Sequence, residues 1–203
     1  IFFRPNFIMK KRNTLRAATQ ISFEGNLIEY SVHKSSRLLS DEVKVAFPID
    51  TFDAKSLNLV ITFQPSSCEL IEWTDEAAVQ KDLKLEIFVK WANDLRNKLN
   101  AEGHWADFTD PACGFPVHSG HGSQPFSDVS GCEACLPYRF HHISGSAGGC
   151  RVITHPQWRL ACYPATFFTT APEEALFGAL DSFESWVAAA EDTHQALTPA
   201  KAG

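Results

Sequence analysis

The stretch Gly148-Gly149-Cys150-Arg151-Val152-Ile153-Thr154-His155 sets one thiol between two glycines and a β-branched run. Glycine permits unusual backbone angles and close approach, and the run that follows reads as a buried strand. A thiol at such a junction can be a packed core atom, half of a disulfide, or a soft ligand for a polarizable metal ion. A second constellation is Cys132-Glu133-Ala134-Cys135, with Cys113, His118, His121, His141 and His142 in the same segment. Zinc takes four such ligands tetrahedrally, and Cys-x-x-Cys is the usual first half of a site. Cys113 with a histidine, or Cys150, would complete it. The same pair can also act as a dithiol or lie in an unliganded surface loop. The spacing Cys-x18-Cys-x2-Cys-x14-Cys is not a clean two-knuckle signature. His155 and Trp158, just past the strand, read as structural residues.

Other chemistry-bearing signatures are missing. The sequence has no Walker loop, no Gly-x-Gly-x-x-Gly, no Gly-x-Ser-x-Gly and no His-Glu-x-x-His. A flavin phosphate needs a glycine-rich cradle or a basic anchor cluster; neither is visible, so no flavin is expected. Six cysteines without a signal peptide point to a reducing compartment, with the thiols free or metal-bound.

Charge is divided unevenly. Residues 1–23 carry Arg4, Lys10, Lys11, Arg12 and Arg16 and no acid, so a net charge of -6 leaves -11 on the remainder. Nucleic-acid binding is excluded by the lack of a basic stripe in the folded region. No apolar run is long enough for a transmembrane span. The basic, aromatic start IFFRPNFIMKKRNTLRAATQ has the composition of an organellar transit peptide or its remnant, with a disordered basic arm as the alternative. It favours the matrix side of the mitochondrion over the cytosol.

The elements that must position these residues follow from periodicity. Residues 26–32 read as a first strand, Ser36–Phe47 as a helix closed by Pro48, and Leu57–Phe63 as a buried strand. Glu69–Trp73 alternates and is expected to pair with that strand across the Pro65-Ser66-Ser67 turn. Leu85–Asn100 is the clearest helix, with Phe88, Trp91, Leu95 and Leu99 on one face. His104–Phe108 follows as a strand, then residues 111–149 lose all periodicity and read as a long functional loop. Arg151–His155 and Arg159–Thr170 read as two closing strands, and Pro172–Ala190 as a last helix behind a Thr170–Glu173 capping box. The expected organisation is a basic arm over 1–23, an α+β domain over 24–172, and a C-terminal helix and tail over 173–203. Its sheet should be mostly antiparallel and flanked by helices.

Several blocks, in order, carry a resemblance. The run AEGHWADF at Ala101–Phe108, continuing TDPACG, is similar to the AEGxWADFxDPxxG stretch of the CblD family, the methylmalonic aciduria and homocystinuria type D proteins. CRVITHPQW and ATFFTTAP resemble that family's CKVIRHSxW and xxIFTNAx segments. Tyr138-Arg139, twelve positions before Cys150, falls where the family has a Tyr-Arg pair. The similarity covers roughly residues 26–172.

The resemblance implies a nitroreductase-like α+β scaffold without flavin, acting as a non-enzymatic adaptor in intracellular vitamin B12 trafficking. It implies association with the CblC cobalamin-processing partner, with Tyr138 and Arg139 as partner-binding candidates. It also implies that Cys150 is placed to ligate the cobalt of cobalamin held by that partner, on a hinge formed by Gly148 and Gly149. A thiolate is a soft donor, and glycines let it approach a bulky corrin. Gly149 stands where some family members have a second cysteine, and the family pattern lacks Cys132-x-x-Cys135. An alternative is a CblD-like domain recruited as an accessory subunit of a larger mitochondrial complex. The basic arm, the missing second thiol and Phe177 and Trp186 at the edge of the last helix favour it. A flavin reductase is the third reading, opposed by the missing phosphate site.

Overall fold

In the computed structural model, which describes residues 13–48, 52–145 and 148–183, the elements run in chain order as follows. They are β1 (Thr14–Phe23), β2 (Asn26–Lys34), α1 (Arg37–Ala46), β3 (Asn58–Pro65), α2 (Asp75–Ala101) and β4 (Ala106–Phe108). After these come α3 (Asp128–Cys135), β5 (Arg139–Gly145), β6 (Gly148–Thr154), β7 (Cys162–Thr169) and a helical run α4 over 173–183.

Strand β3 is buried at every residue but its last, and a strand covered on both faces belongs in the middle of a sheet. It lies third in the order β1-β2-β3-β7-β4, and every neighbouring pair is antiparallel. The period of two then divides the core. Ile28, Tyr30 and Val32 of β2, Val60 of β3 and Phe167 of β7 meet Phe88, Trp91, Leu95 and Leu99 of α2, with Leu176 and Leu180 of α4 beside them. The alternate residues Leu59, Ile61, Phe63 and Phe168 face Leu39 and Val43 of α1, Cys132 and Cys135 of α3, and Ile153 of β6. The result is an α+β domain with helices on both faces of one antiparallel sheet, as the patterning predicts.

Local signals explain the joints. The two-residue turn between β1 and β2 has positive φ at Glu24 (48°) and Gly25 (77°), the combination a tight hairpin requires. Ser36 caps α1 by accepting from the Leu39 amide, and Thr74 caps α2 by accepting from the Ala77 amide. Helix α2 therefore begins at Asp75, ten residues before the Leu85 start expected from the sequence. Its first turns are mostly exposed, with Ala77 buried and Val79 and Leu83 facing outward.

Four expectations need correction. Residues 14–23, assigned to a basic arm, form β1; they carry little apolar signal because only Ile21 and Phe23 are buried along an edge strand. Glu69–Trp73 is not a strand: the Leu70 amide donates to the Leu160 carbonyl in a loop contact instead. The span 111–149 is not one loop, since α3 and most of β5–β6 begin within it. Arg151–His155 and Arg159–Thr170 do not both close the main sheet. β6 pairs with β5, β7 pairs with β3 and β4, and only an isolated bridge, His155 to Arg159, links the two stretches. Among the described residues no helix is long and apolar enough to cross a membrane.

Candidate functional site

Strands β5 and β6 form a separate two-stranded ribbon. Its ladder runs from Arg139 opposite Thr154 to Gly145 opposite Gly148, with Cys150 opposite Ile143 and Gly149 opposite Ser144. Gly148 and Gly149 thus lie inside β6 rather than ahead of it. The side chain of Cys150 lies outside the described residues, as do residues 146–147.

The base of the ribbon is built around a buried carboxylate. Glu29 of β2 is 7 % exposed. Its Oε1 accepts from His155 Nε2 at 2.9 Å and from the Tyr138 hydroxyl at 3.5 Å, and its Oε2 accepts from Gln20 Nε2 at 3.0 Å. Burial pushes the Glu29 carboxyl upward, but the His155, Gln20 and Tyr138 hydrogen bonds outweigh it and hold the group below its ordinary range. The Tyr138 hydroxyl is pushed up to about 12, first by burial and then by the neighbouring Glu29 charge.

His155 is fixed from both ring nitrogens. Its Nδ1 accepts from the backbone amides of Gln157 and Trp158, each at 3.2 Å. That assigns the proton to Nε2, which donates to Glu29. The ring stacks on Trp158, with centroids 4.4 Å apart, and packs beside Phe63 and Tyr138. The motif His-Pro-Gln-Trp is therefore a turn folded around its own imidazole, and the structural reading of His155 and Trp158 holds with these partners.

The predicted site residues are distributed differently from expectation. Tyr138 is half-buried and serves the base of the ribbon, whereas Arg139 beside it is exposed. Cys132 and Cys135 lie one helical turn apart on the inner face of α3, both buried. Burial drives the Cys132 thiol well above its ordinary value and the Cys135 thiol up to about 12. Cys113 is exposed. Among the described residues no three His, Cys, Asp or Glu side chains converge as a metal site would need, so the structure does not assemble the Cys113, Cys132 and Cys135 set. A pair read as a surface knuckle is part of the core because a helix, not a loop, carries it.

Glu29 and Gln20 went unread in the sequence. The available signal was a lone acid inside NLIEYSV: a carboxylate on a strand covered on both faces must find donors or destabilise the fold.

Helices on both faces of an antiparallel sheet, a satellite ribbon and a polar knot at its base define an α+β protein whose distinctive surface is that ribbon. The chain belongs to the methylmalonic aciduria and homocystinuria type D protein family, whose family model matches residues 6–178. It is 28% identical over 156 residues to the cobalamin trafficking protein CblD of Mus musculus and equally to that of Homo sapiens, covering 75% of this chain and 50% of each relative. The similarity to the Gallus gallus protein of that name is 25% over 174 residues, covering 85% of this chain and 56% of the relative. The chain spans about half the length of the curated relatives it matches.

Proposed function

We propose that this chain acts in cobalamin trafficking as a non-enzymatic adaptor that docks on a CblC-like cobalamin-processing protein and offers Cys150 to the cobalt. The family match over residues 6–178 carries this reading. The names of the curated relatives supply the cargo. At the site, the support is the placement of Cys150 on a ribbon that stands apart from the main sheet, next to Gly148 and Gly149, which have no side chains to obstruct a broad ligand. In the proposed contact the Cys150 thiolate would replace the hydroxide ligand of cobalt, which would take up the thiol proton and leave as water, with no change of oxidation state. We place the protein on the matrix side of the mitochondrion, on the basic, acid-poor composition of residues 1–13 that precede β1.

The test is spectroscopic. Hydroxocobalamin, a CblC-like protein and the wild-type chain should together give a cobalt–thiolate absorption band. A Cys150→Ser variant should lose the band while keeping its melting temperature. A wild-type mixture without the band overturns the reading. Co-migration of the native chain with a large mitochondrial complex, and not with a CblC-like protein, is the outcome an accessory-subunit role requires.

A further inference from the structure

A two-stranded ribbon is marginal by itself in water, and β5–β6 shares no ladder with the main sheet. Among the described side chains its apolar anchorage lies at the base. Val152, Ile153 and Thr154 are buried there and Phe140 packs against the same core, whereas His141, His142, Ile143 and Arg151 further along are exposed. Two side chains flank the base: Tyr138 immediately before β5, and His155 immediately after β6. Both reach the same oxygen of Glu29, one from each leg of the ribbon. Gln20 of β1 holds the other carboxylate oxygen, and its amide nitrogen also reaches Gln157 Oε1, in the turn around His155, at 3.0 Å.

We infer that Glu29 is the clasp of the ribbon: one carboxylate on β2 that fixes both legs of β5–β6 and thereby positions Cys150. This rests on the proposed role of Cys150 for its consequence, but the clasp itself rests on geometry. Cys150 stands four ladder pairs from the base, or about 13 Å at the usual rise of a strand. A tilt of about 10° at the base would displace such a point by roughly 2 Å, and a metal–ligand distance tolerates only a small fraction of that. The ladder between β5 and β6 holds the legs to each other, and the shared acceptor fixes both of them to β2. Glu29 is thus a positioning residue, distant from the cargo.

Hydrogen exchange on the full chain tests the clasp. In Glu29→Gln the amides of residues 139–143 and 151–154 should exchange roughly tenfold faster or more, the scale of a weakened charge-assisted hydrogen bond, while amides of β3 and α2 change little. Tyr138→Phe, which removes one hydroxyl, should show the same local pattern at smaller amplitude and serves if Glu29→Gln fails to fold. Uniform acceleration across the molecule, or none, overturns the clasp. With hydroxocobalamin and a CblC-like protein, Glu29→Gln should weaken the Cys150-dependent band; a loosened ribbon with a full-strength band overturns the positioning role. A wild type without any band overturns the cobalt reading alone, and hydrogen exchange then decides the clasp.

Discussion

Arg16 on the edge strand β1 is tied to Asp181 on α4, 165 positions away in the chain. Its Nη2 donates to Asp181 Oδ2 at 3.3 Å, its Nη1 donates to the Tyr30 hydroxyl at 2.9 Å, and its guanidinium carbon lies 4.3 Å from the Phe177 ring centroid. A cation counted from composition as part of a basic arm therefore joins the two ends of the described fold. It also covers Phe177, which the sequence reading left free for a partner.

Arg16→Ala should destabilise the protein by about 1–2 kcal/mol, the scale of charge-assisted hydrogen bonds tempered by the exposure of Asp181. Arg16→Lys should recover only part, because an ammonium cannot fork between Asp181 and Tyr30 while lying over a ring. Urea unfolding of the three proteins checks this. An alanine variant as stable as the wild type would show the tie to be idle.

Acid should act on the fold in two separate windows. Burial holds His33, 2 % exposed, at a pKa of about 4 against an ordinary 6.5. Its ring nitrogens lie 2.9 Å from the Ser31 hydroxyl and 3.3 Å from that of Thr14. Between those two pH values the unfolded chain takes up a proton that the folded chain refuses. The stability is thus full above pH 6.5 and falls toward pH 4, by about 3 kcal/mol in all. Glu29 acts in the same sense but in a lower window. Its folded pKa is depressed, so its contribution is present above the ordinary carboxylate value and is lost only as pH falls through the lower folded one. Melting curves from pH 7.5 to 4.5 should flatten in His33→Gln, and Glu29→Gln should keep the wild-type slope there. A wild-type slope in His33→Gln would remove His33 as the cause.

Periodicity revealed the elements that bury a full apolar face. Leu57–Phe63, the α1 stripe and the Phe88–Leu99 face were legible because their side chains are large and regularly spaced. Strand β1 was not, since Ala17, Ala18 and Thr19 on an edge need no burial. Helix α3 was hidden because its inward residues are Gly131, Cys132 and Cys135, which a hydropathy pattern scores weakly and a motif search scores as chemistry. Cys150 could be placed on a strand from its neighbours. The acid that anchors that strand's ribbon could not be found, because Glu29 is 126 positions from His155 and no local pattern reports a contact at that range.

The five cysteines with described side chains should separate by reactivity. Cys113 is exposed and Cys68 half-exposed, whereas Cys132, Cys135 and Cys162 are buried. Burial raises the thiols of Cys135 and Cys162 to about 12 and drives that of Cys132 well above its ordinary value. Iodoacetamide at pH 8 should label Cys113 first and leave the buried three untouched until the protein unfolds. Cys132→Ser, which sets a hydroxyl among apolar neighbours, should cost about 1–3 kcal/mol. Zinc content should not change in a Cys132→Ser, Cys135→Ser double variant. Loss of about one zinc per chain in that variant would restore the pair as ligands.

Two glycines should respond to alanine with opposite signs. The amide of Gly122 donates to the Ala46 carbonyl at 2.8 Å and that of Ser123 to the Val45 carbonyl at 2.9 Å, so this segment supplies the donors that the end of α1 lacks. A Cβ at Gly122 would fall 2.2 Å from the Val45 carbonyl oxygen and 2.6 Å from the Ala46 carbonyl carbon, both backbone atoms that cannot step aside. Gly122→Ala should therefore push the segment off α1 and cost about 2 kcal/mol or more, the cost of an unsatisfied helix end added to a steric clash. Gly178 lies on the exposed face of α4, and a Cβ there meets nothing within 4 Å. Gly178→Ala removes backbone freedom from the unfolded chain without strain and should stabilise by roughly 0.5–1 kcal/mol. A urea midpoint of Gly122→Ala at or above the wild-type value would contradict the packing of residues 122–124 against α1, and a lowered one for Gly178→Ala would contradict its open site.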